Sequence, residues 1–194
     1  ARYQAYLFDL DGTLVDSVQD IDHALNHALA SADLPPVEQS LTRHWIGHGS
    51  RTLIKQALEH HQAAADEAAI DRLIEPFLNH YKANIAVHSE IYPEVQETLK
   101  VLQRRGSKLA VETTKLMELS EPLLQDIGLY DFFDLIVCGD TTAQPKPAAD
   151  PIELCLEHFS LTPEQALMVG DSETDVRAAQ AARCLLYTSD AADE

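Results

Sequence analysis

The chain has 194 residues, of which 45% are hydrophobic and 24% are charged. This composition is typical of one globular domain, or of one domain that carries an insert. Acidic residues outnumber basic residues by 32 to 14, so the formal net charge at pH 7 is −18. Such a negative chain argues against nucleic acid or anionic lipid as a partner, because both require a basic surface.

Targeting features are absent from the sequence as given. No apolar run is long enough to cross a membrane, and the first residues do not have the layout of a signal peptide. The three cysteines follow no disulfide or zinc-site spacing. We therefore expect a reduced, cytoplasmic protein with no membrane partner. Independently of these features, we expect a monomer or homodimer, between which the sequence does not decide.

The hydrophobic pattern divides the chain into three stretches. Residues 6–8 form a short apolar run that ends abruptly at Asp9, which predicts a buried parallel strand. Residues 17–88 follow a helical pattern, with loops at the two prolines 35–36 and at residues 47–49. From Pro93 onward helices alternate with strands, and the further strands are predicted at residues 109–111, 135–138 and 166–169.

This alternation predicts an α/β fold with a doubly wound, Rossmann-like parallel sheet and right-handed crossovers. We assign residues 1–16 and 89–183 to the α/β core and residues 17–88 to an α-helical insert. Residues 184–194 resemble the translation of a sequencing adapter, so we expect a non-native tail. A natural acidic tail is the alternative.

Carboxylates follow the ends of two predicted strands. Asp9 and Asp11 are two residues apart in extended chain, so they project to the same side, and Gly12 allows the backbone to turn sharply. Asp171 and Asp175 are four residues apart on the opening turn of a helix. Ligands of open α/β sheets bind beyond the carboxyl ends of the strands, so we expect these side chains to converge.

Converging carboxylates would repel one another and raise each other's pKa values. A bound divalent cation relieves that repulsion, and a ligand set made only of oxygen selects a hard ion, Mg²⁺. Together with Lys146, the ion would create a small cationic spot on an acidic protein. Such a spot could hold a phosphate group.

Four motifs in chain order resemble those of the haloacid dehalogenase superfamily. They are Asp9-x-Asp11-Gly12-Thr13, then Thr113 after the second core strand, Lys146 between two prolines, and Gly170-Asp171-x-x-x-Asp175. The helical insert is similar to the α-helical cap of that superfamily. Within the superfamily, residues 45–49, 84–88 and 150–151 resemble the bacterial phosphoglycolate phosphatases.

The resemblance implies Mg²⁺-dependent hydrolysis of a small phosphorylated metabolite, which we expect to be 2-phosphoglycolate. Asp9 would attack phosphorus to form an aspartyl-phosphate, and Asp11 would serve as general acid and then as general base. Thr113 and Lys146 would hold the phosphoryl oxygens. The implied metal ligands are Asp9, the backbone carbonyl of Asp11, Asp171 and, directly or through water, Asp175. The residues expected to bind substrate are Gly12, Thr13, Thr114, Gly47, His48 and Gly49, although residues 47–49 could equally form a plain loop between helices.

The sequence departs from the superfamily pattern at two positions beside Thr113. Glu112 stands where an apolar residue is usual, and Thr114 stands where asparagine is usual. Alternation along the strand directs Glu112 away from Thr113, so we interpret it as a structural cost. The superfamily core continues with a strand and a helix beyond Arg183. We therefore expect a truncated last strand, part of which residues 185–187 could imitate.

Two other functions stay open at this point. A sugar-phosphate mutase of the same superfamily would retain the phosphoryl group instead of releasing it. A truncated, inactive fold that binds a phosphate ligand or a partner is the other alternative, and it is suggested by Glu112, Thr114 and the altered terminus. Dehalogenation is disfavoured because it requires neither the acid/base Asp11 nor a metal.

Overall fold

The computed structural model describes residues 2–188, which contain seven strands. In chain order these are β1 (Ala5–Phe8), β2 (Val15–Asp16), β3 (Glu90–Ile91), β4 (Lys108–Glu112), β5 (Leu135–Val137), β6 (Ala166–Val169) and β7 (Leu185–Tyr187). Five of them form a parallel sheet in the order β5-β4-β1-β6-β7, and β2 pairs with β3 antiparallel. The predicted α/β fold class is confirmed.

Eight α-helices connect these strands within the described residues. They are α1 (Val18–Ser31), α2 (Gln39–Trp45), α3 (Ser50–His60), α4 (Glu67–Ala83), α5 (Val95–Arg104), α6 (Met117–Asp126), α7 (Asp150–Phe159) and α8 (Glu173–Ala181). No helix in residues 2–188 combines the length and the apolar character that a membrane crossing requires.

Strand β1 lies at the centre of the sheet because its side chains are apolar on both faces. Leu7 is fully buried and lies in register with Ala110 of β4 on one side and Met168 of β6 on the other. Parallel strands covered by helices on both faces need such continuous apolar runs. The arrangement places Asp9 at the carboxyl end of the central strand, where its N–H donates to the carbonyl of Val169 at 2.9 Å.

Helices α1–α4 form the insert between β2 and β3. The chain enters and leaves the insert side by side, since Asp20 of α1 accepts hydrogen bonds from the backbone N–H of His88 and the hydroxyl of Ser89. The apolar core is continuous across this junction, because Leu25 and Phe77 of the insert belong to the same buried cluster as Phe8 of β1. The domain boundaries at residues 16/17 and 88/89 stay a prediction.

Several elements differ from the sequence-based expectation. The pair β2 and β3 was not predicted, because two residues per strand are too few for a periodic pattern. The helix expected from Pro93 begins at Val95, and β5 ends one residue before Cys138. Strand β7 pairs with β6 and covers its outer edge, with Leu185 in register with Leu167. Of the predicted tail, residues 189–194 lie outside the described residues, and its origin stays a prediction.

Candidate active site

Asp9, the residue that directly follows β1, is buried and faces a single cation. Its Oδ1 accepts the backbone N–H of Leu10 at 2.8 Å and lies 3.2 Å from Nζ of Lys146. Burial raises the pKa of Asp9 well above its usual value, and Lys146 offsets only part of this effect. The nearby carboxylates of Asp175 and Asp11 raise that pKa further. The positive charge of Lys146 therefore does not fully offset burial and the neighbouring carboxylates, and a bound cation would supply further positive charge.

Lys146 lies beneath the site and is almost completely inaccessible to solvent. Its Nζ lies 2.5 Å from Oδ1 of Asp175, 2.9 Å from the backbone carbonyl of Glu112 and 3.6 Å from Oε2 of Glu112. Burial opposes the charge of Lys146, but these anions and Asp9 outweigh it and raise the pKa of Lys146. Lys146 is therefore a fixed positive charge.

Glu112 closes β4 and is fully buried, in register with Val137 of β5. Neither carboxylate oxygen of Glu112 has a hydrogen-bond partner within the described residues. Burial raises the pKa of Glu112 to about 7, although Lys146 counteracts this shift. The contact of Glu112 with Lys146 could not be predicted from the sequence, since Lys146 comes from a loop 34 residues away.

A group of three carboxylates lies at the carboxyl ends of β1 and β6. One oxygen each of Asp9, Asp171 and Asp175 lies within 4.8 Å of the others. Asp175 is well satisfied by protein donors, because one oxygen contacts Lys146 and the other accepts the N–H groups of Asp171 and Ser172 at 3.1 Å. Burial acts to raise the pKa of Asp175, but Lys146 outweighs it and the pKa is lowered.

Asp171 lies close to the turn after β1. Its Oδ1 accepts the hydroxyl of Thr13 at 3.0 Å, and burial raises its pKa despite that bond. Gly12 has φ +82°, and a Cβ atom there would lie 2.5 Å from Oδ2 of Asp171. A side chain at position 12 would therefore displace the Asp171 carboxylate from its present position, and the positive φ itself favours glycine.

These donors fit a hard divalent cation. The carboxylates of Asp9 and Asp171 retain unshared oxygen lone pairs in a group that repels itself without an ion, which suits Mg²⁺. The oxygens of Asp175 already accept from Lys146 and from amides, so Asp175 is better placed to bind a metal through water. The side chain of Asp11 lies outside this group of three carboxylates.

The carboxylate of Asp11 points to a different set of partners. Its Oδ1 accepts the hydroxyl of Ser17 and lies 3.1 Å from Nζ of Lys115, which in turn donates to the hydroxyl of Tyr81 in α4 at 2.7 Å. Sequence reasoning gave no role to Lys115 or Tyr81. Their only signal was that Lys115 follows the predicted phosphate-binding residue Thr113 by two positions.

The loop between α2 and α3 lies directly over the strand ends. The carbonyl of Gly47 accepts hydrogen bonds from the hydroxyls of Thr114 at 3.3 Å and Thr174 at 3.2 Å. Gly47 and Gly49 line cavities at the site, whereas His48 is exposed and lines none of the cavities described. Thr113 is buried at the end of β4, and its hydroxyl accepts the N–H of Lys115 at 3.1 Å.

A cavity of about 200 Å³ lies between these groups. Its lining comprises Asp9, Asp11, Gly12, Ser17, Val18, Arg43, Ile46, Gly47, Tyr92, Asp171 and Ser172. The cavity thus joins residues from the carboxyl ends of β1 and β6 to residues of the helical insert.

The sequence profile of the haloacid dehalogenase-like hydrolases matches residues 6–187. The chain belongs to this family. A phosphoglycolate phosphatase of Agrobacterium fabrum is 43% identical over 174 residues, which are 90% of this chain and 75% of that protein. A phosphoglycolate phosphatase of Nitrosococcus oceani is 37% identical over 186 residues, which are 93% of this chain and 83% of that protein.

Solved structures agree with this family assignment. A structure described as a predicted phosphoglycolate phosphatase from Haemophilus somnus has a TM-score of 0.89 and 32% identity, and the match covers 97% of this chain and 88% of that chain. CbbY from Rhodobacter sphaeroides, solved in complex with phosphate, has a TM-score of 0.82 and 26% identity, with 96% and 86% coverage.

The predicted superfamily and the predicted enzyme class, a phosphatase, are confirmed by these relatives. Phosphatases of this family generally use Mg²⁺. The roles of individual site residues, the cytoplasmic location, the oligomeric state and the absence of nucleic-acid partners stay predictions.

Proposed function

We propose that this chain hydrolyses 2-phosphoglycolate to glycolate and phosphate with the help of Mg²⁺. The observation that carries the proposal is the meeting of Asp9, Asp171 and Asp175 within 4.8 Å beside the buried Lys146. This group combines a nucleophile, donors for a hard cation and a fixed positive charge at one sheet edge. The names of relatives such as the Agrobacterium fabrum enzyme supply the substrate.

Asp9 acts as the nucleophile in this proposal. Oδ1 of Asp9 is held by Lys146 and the N–H of Leu10, which leaves Oδ2 to attack phosphorus in line. The attack forms an aspartyl-phosphate and divides one difficult displacement into two easier steps. Burial in the site keeps bulk water away from the reacting atoms.

Asp11 acts as the general acid and then as the general base. Its carboxylate lines the same cavity as Asp9 but is held by Ser17 and Lys115, so it is oriented independently of the nucleophile. A protonated Asp11 donates to the leaving ester oxygen, and the resulting carboxylate takes a proton from the water that attacks the intermediate.

Thr113 holds a phosphoryl oxygen. The three N–H donors of Lys146 already face Asp9, Asp175 and the carbonyl of Glu112, so Lys146 balances the charge of Asp9 and attracts the phosphoryl group by its charge alone. Mg²⁺ would be held by Asp9, the backbone carbonyl of Asp11 and Asp171, with Asp175 acting through water. When bound, Mg²⁺ neutralises charge on the transferring phosphoryl group and aligns it for attack. Positioning and electrostatics of this kind are what phosphoryl transfer chiefly requires.

The decisive test is phosphate release from 2-phosphoglycolate by the wild-type chain and by the Asp9→Asn variant, with MgCl₂ and with a chelator. We expect Asp9→Asn to lower kcat by roughly 10⁴-fold or more, because the amide cannot form the covalent intermediate. Asp126→Asn is the matched control, since Asp126 is exposed at the end of α6 and should leave kcat unchanged. Wild-type activity in Asp9→Asn, or full activity of the wild type in the chelator, would refute the proposal.

A further inference from the structure

A second cavity is lined by Asp11 but by none of the three clustered carboxylates, Asp9, Asp171 and Asp175. Its volume is about 40 Å³, and its lining includes Asp11, Ile46, Gly47, Ser50, Tyr81 and Lys115. Asp11, Ile46 and Gly47 also line the larger cavity, so the two spaces meet at Asp11. One molecule could therefore occupy both.

Lys115 is the cation of this second cavity. It is buried, its Nζ lies 3.1 Å from Oδ1 of Asp11, and it donates to the hydroxyl of Tyr81 at 2.7 Å. An ammonium group has three N–H donors, and these two contacts use two of them. No other acceptor contacts Nζ within residues 2–188, so a third donor of this cavity-lining lysine remains for a group that enters. Burial opposes the charge of Lys115, but Asp11 outweighs it and raises its pKa, so the cation is permanent.

The remaining lining favours a small anion. Helix α3 begins at Ser50 after Gly49, no side chain in the described residues caps it, and both residues line the cavity. The free N–H groups of a first helical turn attract negative charge and add to the effect of Lys115. Apolar side chains such as Leu53 and Phe77 complete the lining, and a charge–charge contact is stronger beside such groups than in water.

The size of the cavity restricts what it accepts. One water molecule needs roughly 10–15 Å³ by the same measure. A volume of about 40 Å³ thus has room for a group of about three heavy atoms, such as a carboxylate.

We propose that the cavity around Lys115 binds the carboxylate of the leaving group and so selects a phosphorylated 2-hydroxy acid over phosphomonoesters whose leaving group carries no charge. The inference rests on the proposed function, because it requires the ester oxygen to lie at Asp11. In 2-phosphoglycolate, only one methylene group separates that oxygen from the carboxylate. When the ester oxygen lies at Asp11, the carboxylate of the substrate therefore lies beside the ammonium group of Lys115. Nζ of Lys115 is 3.1 Å from Oδ1 of Asp11.

The test compares kcat/KM for 2-phosphoglycolate and for ethyl phosphate, which has the same ester linkage and no carboxylate. In Lys115→Met both values fall, because Asp11 loses its partner. The fall for 2-phosphoglycolate should exceed that for ethyl phosphate by about tenfold to 100-fold, the usual value of a charged hydrogen bond. Lys82→Met is the matched control, since Lys82 is an exposed lysine of α4 that pairs with Glu118 outside the cavity. The ratio of kcat/KM for 2-phosphoglycolate to kcat/KM for ethyl phosphate should be the same in this variant as in the wild type.

A second variant tests the cavity while Lys115 remains. Ser50→Asp places a negative charge at the start of α3, where it favours the helix but repels a carboxylate in the cavity. We expect the preference for 2-phosphoglycolate over ethyl phosphate to fall about tenfold. Titration of both compounds into Asp9→Asn, alone and combined with Lys115→Met, gives the same comparison as dissociation constants without turnover.

The outcomes separate the two proposals. If the wild type releases phosphate from neither compound in the presence of MgCl₂, the proposed function fails. If the wild type hydrolyses both compounds equally well, or if Lys115→Met lowers both by the same factor, the phosphatase stands and Lys115 only positions Asp11. Either of these results overturns the carboxylate assignment.

Discussion

The two buried lysines of the site lie in contrasting surroundings. Lys146, below the sheet edge, faces three carboxylates: Asp9, Glu112 and Asp175. Lys115, below the helical insert, faces one carboxylate and the hydroxyl of Tyr81. The first lysine is fully occupied by the protein, whereas the second retains a free donor toward a cavity. Lys146 therefore stabilises the buried carboxylates of the site, while Lys115 can bind a ligand.

The largest effect is expected for the substitution Lys146→Met. It leaves three buried carboxylates without their shared cation, so we expect a loss of about 3–5 kcal/mol in the free energy of unfolding. Urea unfolding measures it, with the exposed, ion-paired Lys100→Met as a control that should change by less than about 1 kcal/mol. Lys115→Met should cost less than Lys146→Met. An equal cost for both would remove the contrast between the two lysines.

The next effect is a pH dependence that arises from Glu112. Its pKa is raised to about 7 in the folded state, so the folded protein binds a proton there more tightly than the unfolded chain does. Stability from this group is therefore present at low pH and is lost as the pH rises toward and through about 7. When the pH is raised from about 5 to about 8, the free energy of unfolding of Glu112→Gln should therefore increase by about 2 kcal/mol relative to that of the wild type.

Urea unfolding at both pH values tests this prediction. Glu97→Gln is the control, because Glu97 is exposed and hydrogen-bonded to Lys100, which lowers its pKa. The Glu97 variant should show no comparable gain at high pH. A constant difference between Glu112→Gln and wild type across the range would mean that Lys146 keeps Glu112 ionised throughout.

The smallest effect concerns the approach of Gly12 to Asp171. Gly12→Ala and Gly106→Ala both place a side chain at positive φ, which costs roughly 1 kcal/mol or more. Only the Gly12 variant also forces a Cβ atom against Asp171, since nothing lies within 4 Å of the Cβ position at Gly106. We expect added MgCl₂ to raise the melting temperature of wild type and Gly106→Ala but not of Gly12→Ala. Equal shifts in all three would contradict the metal assignment.

The sequence predicted the elements whose signals are local. The apolar run before Asp9 identified β1, and residues 166–169 were predicted as β6 with the bounds that the structure has. The motif around Asp171 also has a local cause, because a carboxylate on a first helical turn accepts backbone N–H groups, as Asp175 does.

What the sequence did not predict depends on contacts between distant segments. The contact of Lys115 with Tyr81 joins a strand end to a helix of the insert 34 residues earlier, and no periodic pattern records such a pair. Alternation along the strand predicted a direction for the side chain of Glu112 but could not predict that its carboxylate faces Lys146. The pairing of β2 with β3 likewise depends on the chain returning from the insert.

The double hydrogen bond to the carbonyl of Gly47 has a mechanical consequence. Thr114 follows β4 and Thr174 lies in the first turn of α8. One peptide group of the insert therefore accepts hydrogen bonds from two separate segments of the α/β core. A swing of the insert that displaces Gly47 releases both hydroxyls together. The segments that carry Thr114 and Thr174 are therefore held by the same peptide group and would lose that contact together.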